Sequence, residues 1–219
     1  MIFRRKLYAQ MLDWKQQWGG QYALLIKGAR RVGKSTLVEQ FAKNEYKSHI
    51  LIDFSNARKE LISLFDDISD LDFFFMRLQQ QTGVKLYERQ SAIVFDEVQE
   101  CPRARQAIKH LVKDGRYDYI ETGSLISIRK NVQGIVIPSE EMQLTLLPLD
   151  FEEFLWATGN KVGLDILRTF YEKHIPIGES HRSTMRDLRL YMLVGGMPQA
   201  VNAYLKHNNL QIVDRVKRE

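Results

Sequence analysis

The chain of 219 residues has little of several features that mark specialised protein classes. Its single cysteine, Cys101, excludes an intramolecular disulfide framework and a zinc site built from several cysteines. Five prolines and 13 glycines exclude a collagen-like or a proline- and glycine-rich disordered chain. No apolar run reaches the roughly 18 residues that span a bilayer, and no apolar segment follows the basic start to make a secretory signal. We therefore expect a cytoplasmic protein that makes no membrane contact.

What is present is an ordinary globular composition, with 44% hydrophobic and 27% charged residues. This length suits one domain with an appendage, or two small domains. The 32 basic and 27 acidic side chains leave a net charge of +5. Such an excess permits contact with nucleic acid but is weak evidence for it, because part of the excess lies where a bound polyanion would neutralise it.

Strand and helix patterns alternate through the first two thirds of the chain. A helix is predicted over 3–18, and apolar runs predict strands at 22–26, 48–54, 91–95, 117–121 and 142–147. This alternation favours an α/β fold with a parallel sheet covered by helices on both faces. After Pro148 only helices are predicted. We therefore expect an α/β domain over 1–149, with its N-terminal helix in 1–20, and an all-helical region over 150–219.

One segment fits the phosphate-binding loop pattern G-x-x-x-x-G-K-[ST] and lies between a predicted strand and a predicted helix. Glycines let successive N–H groups turn toward phosphate oxygens, and the helix presents its positive N-terminal end to the same anion. Lys34 would reach the β- and γ-phosphates, and the Ser35 hydroxyl would ligate Mg²⁺. The residues expected to bind the nucleotide are Gly28, Ala29, Arg30, Arg31, Val32, Gly33, Lys34, Ser35 and Thr36. The side chains of Arg30 and Arg31 could equally point to solvent.

A second, independent pattern is an apolar strand followed by two acids, Asp96 and Glu97. This is the Walker B arrangement, in which Asp96 would hold hydrated Mg²⁺ and Glu97 would polarise water for attack on the γ-phosphate. A solvated acidic turn is the alternative. Thr122 ends the next predicted strand, where P-loop hydrolases of the additional-strand type carry a polar sensor residue. A plain Thr-Gly-Ser turn is the alternative there.

Four stretches make the chain similar to AAA-type ATPases of the DUF4143-containing family, which are prokaryotic AAA+-like proteins. These stretches are GARRVGKSTL (28–37), VFDEVQECPRARQAIKHLVKDGRYDYIETGSLISI (94–128), LLPLDFEEFL (146–155) and GGMPQAV (195–201). The resemblance implies an ATP-binding P-loop NTPase fold with a five-stranded sheet in the order 5-1-4-3-2. It also implies that 150–219 is a lid or linker leading to a C-terminal region mostly absent from this chain, through which nucleic acid could be bound.

The chain departs from the family at one place. Many members carry a Gly-Arg pair before the PLxFEEF motif, where this chain has IPSEE at 137–141. The arginine that stabilises charge during phosphoryl transfer is therefore unassigned, with Arg103, Arg105 and Arg129 as candidates. A homo-oligomer or another partner could supply it.

Two functions follow from these residues. The first is Mg²⁺-dependent ATP hydrolysis coupled to an effector region, with Lys34, Glu97 and Thr122 as catalytic groups and with Ser35 and Asp96 as metal ligands. The second is an ATP-bound switch or assembly platform that does not hydrolyse the nucleotide. The cofactors expected in the first case are ATP and Mg²⁺.

Two charged runs are not expected to form functional sites. The acids between 66 and 72 are predicted to be helix caps and first-turn residues, not a metal site. The basic run at 4–6 is predicted to be a solvated surface and not a nucleic-acid contact.

Overall fold

The computed structural model describes residues 2–124, 140–160, 163–178 and 180–218. Five strands form one sheet in this part of the chain: β1 (Ala23–Gly28), β2 (Ser48–Asp53), β3 (Ser91–Asp96), β4 (Asp118–Ser124) and β5 (Glu141–Leu146). Each pair of neighbouring strands is parallel. The order is β2-β3-β4-β1-β5, which read from the other edge is 5-1-4-3-2. The predicted sheet and its order are therefore confirmed.

Helices and short 3₁₀ turns precede or connect these strands. They are α1 (Leu7–Trp18), α2 (Lys34–Glu45), α3 (Lys59–Ile62), α4 (Leu71–Thr82), α5 (Pro102–Asp114) and the 3₁₀ turns Ser63–Asp66 and Val98–Glu100. Asp70 caps α4 by accepting a hydrogen bond from the backbone N–H of Phe73, as predicted for this acidic run. With the strands, these elements make up a compact unit over Leu7–Leu146.

The central strands of the sheet are buried on both faces. Successive residues of a strand point to opposite sides, so each face packs against different helices. On β3, Val94 joins a cluster with Leu37 of α2, whereas Phe95 joins a cluster with Ile108 of α5. All six residues of β3 are buried. Because both faces of β3 are buried, its sequence is a continuous apolar run without polar alternation.

A second compact unit contains Met1–Lys6 and Leu147–Glu219. Its helices are α6 (Phe151–Ala157), α7 (Gly163–Glu172), α8 (Ser180–Val194), α9 (Pro198–His207) and α10 (Leu210–Arg218). Asp150 and Glu153 form a capping box at the start of α6. The small core of this unit includes Phe154, Val194 and Val201. No helix in the described ranges is both long and apolar enough to cross a membrane.

The expectation of a solvated surface at 4–6 holds for the exposed Arg4 and Lys6 and is wrong for the buried Arg5. The Nε atom of Arg5 lies 3.2 Å from Glu153 Oε2, and both side chains are buried. The Nζ atom of Lys6 lies 2.6 Å from Asp150 Oδ2, and its backbone N–H donates to Glu153 Oε1 at 2.7 Å. These contacts join segments about 150 residues apart in sequence, which local patterns cannot reveal. The helix predicted over 3–18 accordingly begins at Leu7.

Candidate nucleotide-binding site

The turn between β1 and α2 requires both glycines of the loop motif. Gly33 has a φ of 92°, a left-handed conformation that is accessible to glycine without strain. At Gly28 the constraint is space, because a Cβ atom there would lie 2.4 Å from the carbonyl oxygen of Leu146. Arg31 also has a positive φ, 66°. The loop therefore needs a residue without a side chain at Gly28, where β5 lies close, and left-handed backbone at Arg31 and Gly33.

The N-terminus of α2 presents backbone N–H groups with no competing side chain. Gly33 precedes the helix and supplies no side-chain cap, and the first turn of α2 contains no acidic residue. Unpaired N–H groups and the helix dipole together favour an anion at this end. Of the loop residues, Val32 is fully buried, whereas Ala29, Arg30 and Arg31 are exposed, as is Thr36 in the first turn of α2.

Lys34 places a buried ammonium inside the curve of the loop. It is 4% exposed, and its Nζ donates to the carbonyl oxygens of Ala29 at 3.0 Å and Gly28 at 3.4 Å. Burial lowers the pKa of Lys34, and the nearby carboxylates of Glu97 and Asp96 oppose that shift. The hydrogen bonds of the Lys34 ammonium thus go to neutral carbonyl oxygens. Phosphate oxygens are negatively charged and can replace these acceptors.

Three predicted site residues meet around one carboxylate at the carboxyl edge of the sheet. The Ser35 hydroxyl donates to Asp96 Oδ1 at 2.9 Å, and the Thr122 hydroxyl donates to the same oxygen. Thr122 Oγ1 in turn accepts the backbone N–H of Glu97 at 3.0 Å. Thr122 is fully buried. One hydroxyl of β4 therefore connects the acid that ends β3 with the acid that follows it.

Each carboxylate oxygen of Glu97 has a polar neighbour. Its backbone is left-handed, with a φ of 52°, and its Oε1 lies 4.0 Å from Lys34 Nζ. The Gln99 amide donates to Oε2 at 2.5 Å. Sequence reasoning did not single out Gln99, although its place two residues after the acid, in DEVQ, was the available signal.

The donor set of the site fits Mg²⁺. Ser35 and Asp96 offer a hydroxyl and a carboxylate oxygen 2.9 Å apart, and oxygen ligands are those that Mg²⁺ prefers. Within the described ranges no group of three or more His, Cys, Asp and Glu could hold a metal ion. Two protein oxygens therefore suit an ion that completes its coordination with water and nucleotide phosphates.

The candidate arginines are engaged elsewhere in the unit. Arg103 is exposed and pairs with Asp66. Arg105 is 4% exposed, lies in α5 and places Nη2 3.0 Å from Glu141 Oε2. Arg129 lies outside the described residues.

A buried acidic pair lies on the α5 side of the sheet, and sequence reasoning missed it. Glu121 of β4 is fully buried, and no described residue donates a hydrogen bond to either of its carboxylate oxygens. Burial and the neighbouring Glu141 raise the pKa of Glu121 to about 8, against the opposing charge of Arg105. This shift favours the protonated form of the carboxyl.

Comparison with known protein families identifies the type of domain. A family model described as an AAA domain matches residues 20–155, and no curated protein matches the chain. The solved structure of PCH-2 from C. elegans is 11% identical, with a TM-score of 0.47 over 96% of this chain and 64% of that one. ORC1 of Aeropyrum pernix in complex with DNA is 11% identical, with a TM-score of 0.49 over 100% of this chain and 65% of that one. The chain spans a little under two thirds of these two proteins.

Proposed function

Because the chain belongs to the AAA domain family, which consists of nucleotide-binding P-loop ATPases, we propose that it binds ATP with Mg²⁺ and hydrolyses it. The network that joins Ser35, Asp96, Thr122 and Glu97 beside Lys34 carries this proposal. We also propose that turnover is coupled to an effector region beyond the helical unit. The PLDFEEF and GGMP motifs support a place among the DUF4143-containing members.

Each side chain has a defined task in this proposal. Lys34 and the N–H groups at the start of α2 neutralise and orient the phosphates. Ser35 and Asp96 hold the metal ion, and Mg²⁺, when bound, stabilises the charge that develops on the transferred phosphoryl group. Glu97 accepts a proton from the attacking water. These tasks place the reaction where β1 and β3 end.

Thr122 acts through its neighbours. Its hydroxyl donates to Asp96 and accepts the Glu97 N–H. The two hydrogen bonds thus join Thr122 to both acids of the Walker B pattern. A shift of Thr122 on β4 would move both acids together. This supports a sensor role that operates by positioning Asp96 and Glu97.

A second candidate function is an ATP-bound switch or assembly platform without turnover. The observation that favours it is that Arg103 and Arg105 are both occupied by ion pairs within the unit. Hydrolysis in that case requires an arginine from another subunit of a homo-oligomer or from a partner. Such a requirement would make turnover depend on protein concentration.

The experiment that tests the proposal measures Mg²⁺-ATP hydrolysis and ATP binding by the wild type and by Glu97→Gln. Loss of turnover with retained binding supports Glu97 as the base. Glu100→Gln is a matched control, because Glu100 is an exposed acid in the adjacent 3₁₀ turn, and we expect it to hydrolyse ATP normally. Hydrolysis by Glu97→Gln at the wild-type rate would overturn the assignment, and tight binding without turnover by the wild type would favour the switch.

A further inference from the structure

Gln99 makes a contact that has no role in the function described so far. It lies in the 3₁₀ turn Val98–Glu100 and is only 6% exposed. Polar side chains of this length are seldom buried. Here the amide Nε2 donates to Glu97 Oε2 at 2.5 Å. The buried glutamine is thus directed at one carboxylate oxygen of the acid assigned as the base.

The backbone around Glu97 is held independently of Gln99. The Glu97 N–H donates to Thr122 Oγ1 at 3.0 Å, and the Glu97 carbonyl accepts the N–H of Glu100 at 2.9 Å. A glutamate side chain nevertheless keeps several free torsions, so a fixed backbone does not fix the carboxylate. A side-chain contact is needed to restrict it.

Lys34 does not provide that restriction. Its Nζ lies 4.0 Å from Glu97 Oε1, beyond hydrogen-bonding distance, and it already donates to the carbonyl oxygens of Gly28 and Ala29. In the proposed function Lys34 also turns to the phosphates. The Gln99 amide is therefore the contact that stays with Glu97 when the lysine is engaged.

We propose that Gln99 is a positioning residue that holds the Glu97 carboxylate in place for water activation. The inference rests on the proposed function, in which Glu97 is the base. An amide suits this task because it donates a hydrogen bond without bringing a positive charge, so the carboxylate keeps its ability to accept a proton. A misplaced base slows a reaction strongly even when the substrate remains bound.

The test uses Gln99→Met, which keeps the length and packing of the side chain and removes the donor. We expect kcat for ATP hydrolysis to fall about tenfold to a hundredfold, while the Kd for ATP stays within about twofold because the phosphate contacts are untouched. Gln143→Met is the matched control. Gln143 donates to Glu141 at 2.8 Å from the surface of β5, so the same change there removes a similar bond away from the site and leaves kcat unchanged.

A crystal structure of Gln99→Met supplies a readout that does not depend on turnover. Displacement of the Glu97 carboxylate from its place near Lys34 supports the positioning role, and an unmoved carboxylate overturns it. A variant that loses thermal stability and ATP affinity but keeps kcat would also overturn it, since that pattern belongs to a structural residue. If the wild type proves inactive, the hydrolase proposal fails while the crystal structure still decides whether Gln99 positions Glu97.

Discussion

Thr122 and Glu121 are neighbours on β4, yet their side chains enter different polar clusters on opposite faces of the sheet. The Thr122 hydroxyl shares hydrogen bonds with Asp96 and with the Glu97 N–H. Glu121 lies near Glu141 and Arg105, and its two oxygens accept no hydrogen bond from the described residues. Both side chains are fully buried, so burial alone does not distinguish the clusters.

The difference lies in how charge is compensated. In the Thr122 cluster the carboxylate of Asp96 accepts two hydroxyl donors, and Glu97 is partly exposed. In the Glu121 cluster two carboxyls share one guanidinium, which favours a protonated acid because an unpaired buried charge is costly. The same residue types therefore suit ligand binding in one cluster and proton retention in the other. This contrast can be tested by changing one group at a time.

The largest effect is expected from Arg105→Met, which leaves the acidic pair without its counterion. Breaking a buried ion pair by removing one partner costs about 3–5 kcal/mol of the free energy of unfolding, measurable by urea denaturation. Arg103→Met is the control, because its exposed ion pair with Asp66 is worth about 1 kcal/mol or less. Equal stability of the two variants would show that Arg105 does not compensate the buried acids.

The next effect concerns the other cluster, where Lys34→Ala removes the loop cation. We expect ATP affinity to fall about a hundredfold, equal to about 3 kcal/mol, with little change in stability. Titration calorimetry with Mg²⁺-ATP measures the affinity. Lys27→Ala is the control from β1, the strand that precedes the loop, because the Lys27 ammonium donates to Gln143 at 2.9 Å. A similar loss in both variants would mean that general positive charge, and not the loop cation, holds the nucleotide.

Glu121→Gln tests the retained proton through the pH dependence of stability. The pKa of Glu121 is raised from 4.5 to about 8, so its favourable contribution is complete below the unfolded-state value and is lost as pH rises through 8. The free energy of unfolding of the wild type, relative to the variant, should fall by about 2–3 kcal/mol between pH 6 and pH 9. Parallel stability curves for the two proteins would show that Glu121 does not retain the proton.

The smallest effect is expected at Thr122, where Thr122→Val keeps the shape and removes the hydroxyl. Asp96 then loses one donor and the Glu97 N–H loses its acceptor, so we expect ATP turnover to fall about tenfold. Thr122→Ser keeps the hydroxyl and should retain most of the activity. If the serine variant is as impaired as the valine variant, the methyl group and not the hydroxyl is what the site requires.

Local patterns were enough to predict much of the fold. The unbroken apolar run of β3 indicated a strand buried on both faces, and Gly28, Gly33 and Lys34 identified the loop between β1 and α2. These predictions succeed because strand alternation, helix capping and turn geometry depend on residues a few positions apart.

Contacts between distant segments could not be predicted in the same way. Arg5 and Glu153 are 148 positions apart, and the approach of Leu146 to Gly28 arises only when β5 joins β1. The predicted solvated surface at 4–6 was therefore wrong at Arg5. The residues around Arg5 in the sequence do not show that Glu153 will lie beside it.

The sequence by itself determined the strand and helix order, the glycine-containing loop after β1 and the acids Asp96 and Glu97 at the end of β3. Only the tertiary structure decided which carboxyls are satisfied, because the side-chain environment depends on which strands become neighbours and which helix covers each face. Thr122 reaches Asp96 because β3 and β4 pair. Glu121, one residue earlier, meets Glu141 and Arg105 because β4, β5 and α5 converge on the other face. Residue type sets what a group can do, whereas burial and neighbouring charges set its protonation and partners.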